Sequence, residues 1–393
     1  MESLYLNETQ INAELKRCLK CPTKPCLKAC PAQVSPHDFI KAARDGDFAE
    51  AAKLIETQNP LGEICGLICP ERFCQKACVR GKIDTPIEIQ ALQAAIMQRA
   101  RTNGDVAENT ELAAVNKKVA VVGAGPAGIA AAVELLRHGV AVTMFEKANC
   151  AGGALNYIPQ TRLPWQVIEF TWKNLLQQNP LFKVQFGTEQ KDYVALRTQG
   201  FDGVVVATGT QKIRTLGIEG EELAVSWRNY LKLPEKFKSK KVAIIGGGAV
   251  AADCAVTAIE SGAVHIEMFV RRRVTDMRIS ERERQQLIEH KIMITDMTRP
   301  LKIERKNKKL SLITSQTRFN DQGKLEDVPQ STVEKDGYDL IILALGSDSA
   351  EPISELPGIM YAGDVINGAS TAVEAVASGR KAAQTLLSEL LII

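Results

Sequence analysis

The sequence has almost no net charge: 49 lysines and arginines stand against 46 aspartates and glutamates, which leaves +3. A chain so balanced offers no electrostatic case for nucleic acid as a partner. It has no run of 18 uninterrupted apolar residues, so no membrane-spanning helix is expected. Its first residues, MESLYLNETQINAELKR, lack a basic segment followed by an apolar one, so no secretory signal is expected and the cytoplasm is the expected compartment. The four histidines, His37, His138, His265 and His290, form no cluster or triad, and none is assigned chemistry. With 45% hydrophobic and 24% charged residues over 393 positions, what remains is an ordinary globular chain long enough for two or three domains.

Cysteine is scarce over most of the chain and concentrated at one end. Eight of the ten fall in the first 78 residues, and only Cys150 and Cys254 lie beyond. Neither belongs to a C-x-x-C pair, so the dithiol of a thioredoxin reductase is missing, and both are expected to be buried small apolar residues. Clustered cysteines in a chain of the cytosolic type point to metal rather than to disulfides. The first run reads C-x2-C-x4-C-x3-C-P (Cys18, Cys21, Cys26, Cys30, Pro31), and the second reads C-x3-C-x4-C-x3-C (Cys65, Cys69, Cys74, Cys78). Four thiolates hold either a tetrahedral zinc or a [4Fe–4S] cluster. The Cys-Pro ending resembles the two-cluster ferredoxin run, in which that cysteine ligates the other cluster. By that logic Cys30 crosses to a second cluster and Cys78 returns to complete the first. Redox-type folds downstream favour two [4Fe–4S] clusters over zinc.

Two units of strand, glycine turn and helix follow. The first is KVAVVGAGPAGIAAAVELLRHGVAVTMFEK (118–147), with Gly123, Gly125 and Gly128 opening the helix and Glu146 at the end of the second strand. Glycines there permit a tight turn and bring backbone N–H groups close to a pyrophosphate, and the carboxylate suits ribose hydroxyls. The second is KVAIIGGGAVAADCAVTAIESGAVHIEMFVRRR (241–273), with Gly246, Gly248 and Ala251 in the same places. There Val270 replaces the carboxylate and is followed by Arg271, Arg272 and Arg273. Arginines suit the 2′-phosphate of NADP. One site therefore fits FAD and the other NADPH. Near the end, Gly363 and Asp364 close a strand, and a helix begins near Ser370 and Thr371, where its dipole would face a reduced flavin.

Other expectations are local. In PIEIQALQAAIMQRA (86–100), Pro86 is placed in the first helical turn, with Ile89, Leu92 and Ile96 on one face. Residues 101–116 read as a linker, PEKFKSK (234–240) as a break, and 301–337 as hairpins interrupted at KNKK and NDQGK. The fold class is α/β: a helical two-cluster iron–sulfur domain, then two Rossmann-like domains, the NADP domain inserted in the FAD domain. The expected limits are 1–115, then 116–235 with 338–393 for FAD, and 236–337 for NADP.

The ordered motifs, from the cysteine runs through GAGPAG, AGGALNYIPQTRLP, VVVATGT and IGGGAVAADCA to YAGDV and STAVEAVASG, resemble the small subunits of NADPH-dependent glutamate synthase. They also resemble the electron-input half of dihydropyrimidine dehydrogenase, and NPLGEICGLICP brings the chain closer to that branch. The resemblance implies Cys18, Cys21, Cys26 and Cys78 for one cluster, and Cys30, Cys69, Cys74 and Gln93 for the other. Cys65 competes with Gln93 on chemical grounds, an amide oxygen being a poor iron ligand. It implies Gly123, Gly125, Ala127, Gly128, Glu146, Lys147, Gly153, Arg162, Thr208, Gly209, Gly363, Asp364 and Thr371 for FAD. For NADP it implies Gly246, Gly248, Ala249, Val250, Arg271, Arg272 and Arg278. No side chain is expected to act as an acid or base. The last residues follow directly on the FAD helix, so the expected substrate site lies on a larger flavoprotein partner in a hetero-oligomer. That partner is of the FMN-barrel dihydropyrimidine dehydrogenase type or, alternatively, a glutamate synthase large subunit. A stand-alone NADPH:ferredoxin or quinone reductase is the other alternative.

Overall fold

The computed structural model describes residues 4–105, 114–349, 353 and 356–392, and the chain divides into two compact units. Unit 1 comprises 1–156, 160–211 and 349–393, and unit 2 comprises 157–159 and 212–348, so the second is inserted in the chain of the first. Among the described residues no helix is long and apolar enough to cross a membrane.

Unit 1 begins with helices. Glu8–Arg17 opens on a capping box in which Asn7 and Gln10 satisfy each other's backbone N–H groups. Pro36–Arg44, Phe48–Gln58, Gly62–Ile68 and Ile89–Asn103 follow and bury Phe39, Ile40, Ile55, Ile64, Leu92 and Ile96. Glycine is required where two of these helices meet: a Cβ on Gly66 would lie 2.5 Å from the Ala94 nitrogen. Ile89, Leu92 and Ile96 face the core as the spacing predicts. Pro86 lies outside the helix, however, which starts at Ile89 after the cap residue Glu88. Ile87 is buried and its oxygen accepts from the Ile89 nitrogen at 2.8 Å, so the helix begins only after that side chain is placed. The helix also runs on to Asn103, ending at Gly104 in the left-handed region, so the linker begins later than its polar composition implied. Its residues 106–113 lie outside the described residues.

The rest of unit 1 is a five-stranded parallel sheet, in the order Ile359–Tyr361, Gly203–Val206, Lys118–Val122, Ala141–Phe145, Phe182–Gln185. Beyond the exposed Lys118, its central strands are apolar and buried throughout because both faces are covered. Helices Pro126–Leu136 and Ala372–Glu389 cross so closely that a Cβ on Gly379 would lie 2.1 Å from the Ala127 oxygen.

Unit 2 repeats the plan with a parallel sheet ordered Val225–Ser226, Leu340–Leu343, Lys241–Ile245, His265–Phe269, Met293–Thr295. Alternation decides its two faces. Val242 and Ile244 pack with helix Ala249–Glu260, whereas Ala243 and Ile245 pack with Ile303, Leu310, Leu312 and Tyr338 of an antiparallel meander. The meander is the expected hairpin region, Thr298–Lys306 turning at Asn307 and Lys308, both at positive φ, into Lys309–Phe319.

Candidate functional site: thiol cavities and two glycine turns

Cys18, Cys21, Cys26 and Cys78 line one cavity, together with Leu19, Pro25, Pro36, His37, Ile40, Val79, Arg80, Ile87 and Ile89. The first three cysteines come from the loop and short helix between Glu8–Arg17 and Pro36–Arg44, and Cys78 caps the turn Val79–Lys82. The thiols line a space rather than converge on an ion-sized point. Among the described residues no three His, Cys, Asp or Glu side chains form a single-ion site. Four thiols around an apolar-walled cavity fit a cluster. His37, which sequence reasoning left without a role, sits in the wall, its Nδ1 2.8 Å from Asp38, which also binds Lys24 at 2.8 Å.

The second group gathers close to it. Cys69 feels the charge of Cys65, Cys74 and Cys30, and Cys74 that of Cys30 and Cys26. Burial pushes the Cys65 and Cys74 thiols up to about 12, and it raises Cys30. For Cys30 this is opposed by backbone N–H groups of Ala32, Gln33 and Val34, which donate to its sulfur. Such buried thiols stay protonated near neutrality unless a metal replaces the proton. Cys65 lies one turn before Cys69 and accepts from the Asn59 amide. Gln93 is buried on the facing helix, and its Nε2 donates to the Gly62 oxygen at 2.7 Å, which leaves the amide oxygen as its ligand-capable atom. Arg72, between Cys69 and Cys74, pairs with Glu374 at 3.4 Å.

Glu374 belongs to the first turn of Ala372–Glu389, where it completes a capping box with Thr371. Gly363, at φ 74, precedes this segment, and Asp364 accepts from the Ser370 nitrogen at 3.2 Å and hydroxyl at 2.5 Å. Burial raises the Asp364 carboxyl.

The first glycine turn shows why each glycine is there. Gly123, at φ 106, abuts the Ala207 oxygen, 2.4 Å from where a Cβ would sit. A Cβ on Gly128 would lie 1.9 Å from the Gly123 oxygen. At Gly125 the nearest atom is 3.9 Å away, an open cradle at the N-terminus of Pro126–Leu136 suited to a pyrophosphate. Gly153, at φ 55, lies against Gly125. The Glu146 carboxylate accepts from the backbone of Ala124 at 2.8 Å and Ala148 at 2.7 Å. Lys147 donates to Gln211, Arg162 is buried, and the Thr208 hydroxyl is buried beside Gly209 with no hydrogen-bond partner among the described residues. An orphaned hydroxyl next to an open cradle fits a bound dinucleotide.

Cys254 is buried as expected, but Cys150 is exposed. It follows strand Ala141–Phe145 in the bend that leads to Gly152 and Gly153, where no second layer covers it.

In unit 2, Gly246 at φ 146 abuts the Ala344 oxygen at 2.3 Å, and Gly248 faces open space before Ala249 and Val250. Val270 is buried against Gly247, while Arg271 and Arg272 are exposed beyond it. A parallel bridge sets Arg278 beside Gly248, its nitrogen donating to the Gly247 oxygen at 3.1 Å. Arg273 is differently engaged, stacked 4.8 Å over Phe319 and 3.9 Å from Asp276.

Two dinucleotide folds behind a cysteine-lined helical region define a flavin- and pyridine-nucleotide-dependent oxidoreductase. The chain belongs to the pyridine nucleotide-disulphide oxidoreductase family, which it matches over residues 117–321. Residues 2–105 match the family described as dihydropyrimidine dehydrogenase domain II, 4Fe-4S cluster. It is similar to the NAD-dependent dihydropyrimidine dehydrogenase subunit PreT of Escherichia coli K12, 30% identical over 95% of this chain and 92% of that one. It is also similar to the small chain of NADPH glutamate synthase from the same organism, 27% identical over 98% of this chain and 92% of that one. Among solved structures, Mycobacterium tuberculosis FprA in complex with NADPH shares the fold, with TM-score 0.60 and 15% identity over 70% of this chain and 84% of that one. The chain is an NAD(P)H-dependent FAD and iron–sulfur oxidoreductase.

Proposed function

We propose that this chain is a cytoplasmic electron-input subunit that oxidises NADPH and delivers single electrons to a larger catalytic flavoprotein, of the dihydropyrimidine dehydrogenase type. The observation that carries this reading is the shared unit. Both cysteine groups are built into the same compact body as the FAD fold, and Arg72 of the second group is paired with Glu374 in the first turn of the FAD helix. When bound, the flavin takes a hydride from the nicotinamide and the clusters accept its electrons one at a time.

The chain's own residues hold and tune these groups. Cys18, Cys21, Cys26 and Cys78 hold one cluster. Cys30, Cys69 and Cys74 hold a second, with Gln93 as fourth ligand and Cys65 at its edge. The Gly125 cradle, Glu146 and Thr208 bind FAD, with Asp364 and Thr371 at its flavin end. The related subunits are named for different nucleotides. Here Val270 in place of a carboxylate, with Arg271 and Arg272 exposed beyond it and Arg278 bridged to Gly248, favours NADPH.

Anaerobically purified protein is expected to contain about eight irons per chain, the content of two four-iron clusters. Cys26→Ser should spare NADPH-driven dye reduction and abolish transfer to the partner. Zinc in place of iron, or a Cys26→Ser protein that transfers as before, would overturn the reading.

A further inference from the structure

The two thiol groups differ in exposure: all four of the first are half-buried, as are Cys30 and Cys69 of the second. Cys65 and Cys74 of the second are buried. The first group opens on an exposed rim: Leu19, between Cys18 and Cys21, is 41% exposed, and Ile83, in the turn after Cys78, is 66% exposed. Lys16, Lys20, Lys28 and Lys82 are exposed on the same segments, and none has an ion-pair partner among the described residues. Of the nearby acids, Glu14 and Asp84 are engaged by Arg17, Asp84 again by Arg80, and Asp38 by Lys24, while Glu88 is exposed beside Glu14. The rim therefore combines two large exposed apolar side chains with an excess of positive charge on the same segments. Its backbone is set by the cysteine loop, with Lys20 at φ 52 and Lys24 at φ 44.

We propose that this rim is the docking surface for an electron acceptor with an acidic face, its apolar centre meeting Leu19 and Ile83 and its carboxylates meeting the four lysines. The proposal rests on the electron-input reading and adds the place of exit and the chemistry of the partner. Apolar contact excludes water at the centre of such an interface, and complementary charge around it supplies orientation and a fast, salt-sensitive encounter. The lysines have no ion pair to break on binding. One NADPH yields two electrons and one proton, so two such encounters, each moving one electron, balance its oxidation.

The test uses the whole cofactor-loaded chain and an acidic ferredoxin as probe, with binding measured in the absence of nucleotide. Lys20→Glu/Lys28→Glu/Lys82→Glu should weaken ferredoxin binding at least tenfold at low salt and remove its salt dependence, while NADPH reduction of menadione stays at the wild-type rate. Lys183→Glu/Lys236→Glu/Lys381→Glu, the same charge change on exposed lysines elsewhere, should bind as wild type does. Wild-type protein that fails to bind the ferredoxin, or a rim variant that binds it unchanged or loses no more than the control, overturns the proposal. Bleaching of the clusters by NADPH reads the electron-input function separately: clusters that NADPH leaves oxidised sink that function, and the binding result still decides the surface.

Discussion

The glycine turns of units 1 and 2 start alike and part company at their third position. In each, the first glycine holds a positive φ because the carbonyl at the end of a neighbouring strand leaves no room for a Cβ, Ala207 in one and Ala344 in the other. In each, the second glycine faces open space that a nucleotide can fill. At the third, unit 1 has Gly128 jammed against the Gly123 oxygen, whereas unit 2 has Ala251, buried with its methyl in the core. They also differ at the strand end, where Glu146 accepts two backbone N–H groups and Val270 packs on Gly247. The same signature therefore carries two distinct fits. One is a tight turn closed by a carboxylate, the other a looser turn whose neighbouring strand ends on a valine followed by exposed arginines.

The largest expected effect breaks the tight turn. Gly128→Ala places a Cβ 1.9 Å from the Gly123 oxygen, and a backbone atom cannot swing away as a side chain can. The turn must open, and the purified protein is expected to lack FAD, read directly from its flavin absorbance. Flavin retained at wild-type stoichiometry would show that the turn has slack the geometry does not reveal.

That contrast marks how far the sequence could be read. Continuous apolar strand runs and Ala-rich helices made both βαβ units, the closing strand and the last helix legible, because local pattern and tertiary burial agree there. Pro86 misled because a proline suits either the first turn or the extended approach to it, and the buried Ile87 decides between them. Cys150 misled because a lone cysteine carries no periodicity to say which side it faces. Of the four cysteines that line the cavity, Cys18, Cys21 and Cys26 share one stretch of chain, whereas Cys78 could be added only through the resemblance to two-cluster ferredoxins. The Arg72–Glu374 pair was not legible, because 302 positions separate the two and nothing local joins them. The rim lysines were equally hidden: their meaning depends on which acids are already paired.

A smaller effect sharpens the strand-end difference. Arg271→Ala/Arg272→Ala should weaken NADPH binding by about 1.5–3 kcal/mol for each charged hydrogen bond lost, with little change for NADH. Arg273→Ala is the internal control, because its guanidinium is held over Phe319 and beside Asp276. Titration with both nucleotides checks this. Equal weakening of NADPH and NADH by the double variant would make those arginines structural, and a phosphate-specific loss at Arg273 would redraw the site.

The smallest effect tests whether the looser turn needs its methyl at all. Ala251→Gly gives unit 2 the same third residue as unit 1. Ala251 sits near the start of helix Ala249–Glu260, fully buried, its nitrogen 2.9 Å from the Gly248 oxygen. Removing the methyl gives up helix propensity of about 1 kcal/mol and a little buried apolar surface. The cradle at Gly248 is already open, so nothing in nucleotide access should change. The expected outcome is a slightly lower denaturation midpoint with an unaltered Kd for NADPH. A variant that bound NADPH several-fold more tightly would mean that the alanine restrains the turn, and that the second site is deliberately held short of its best fit. Unchanged binding would place the difference between the two sites at the strand end, where one turn has Glu146 and the other Val270 followed by arginines.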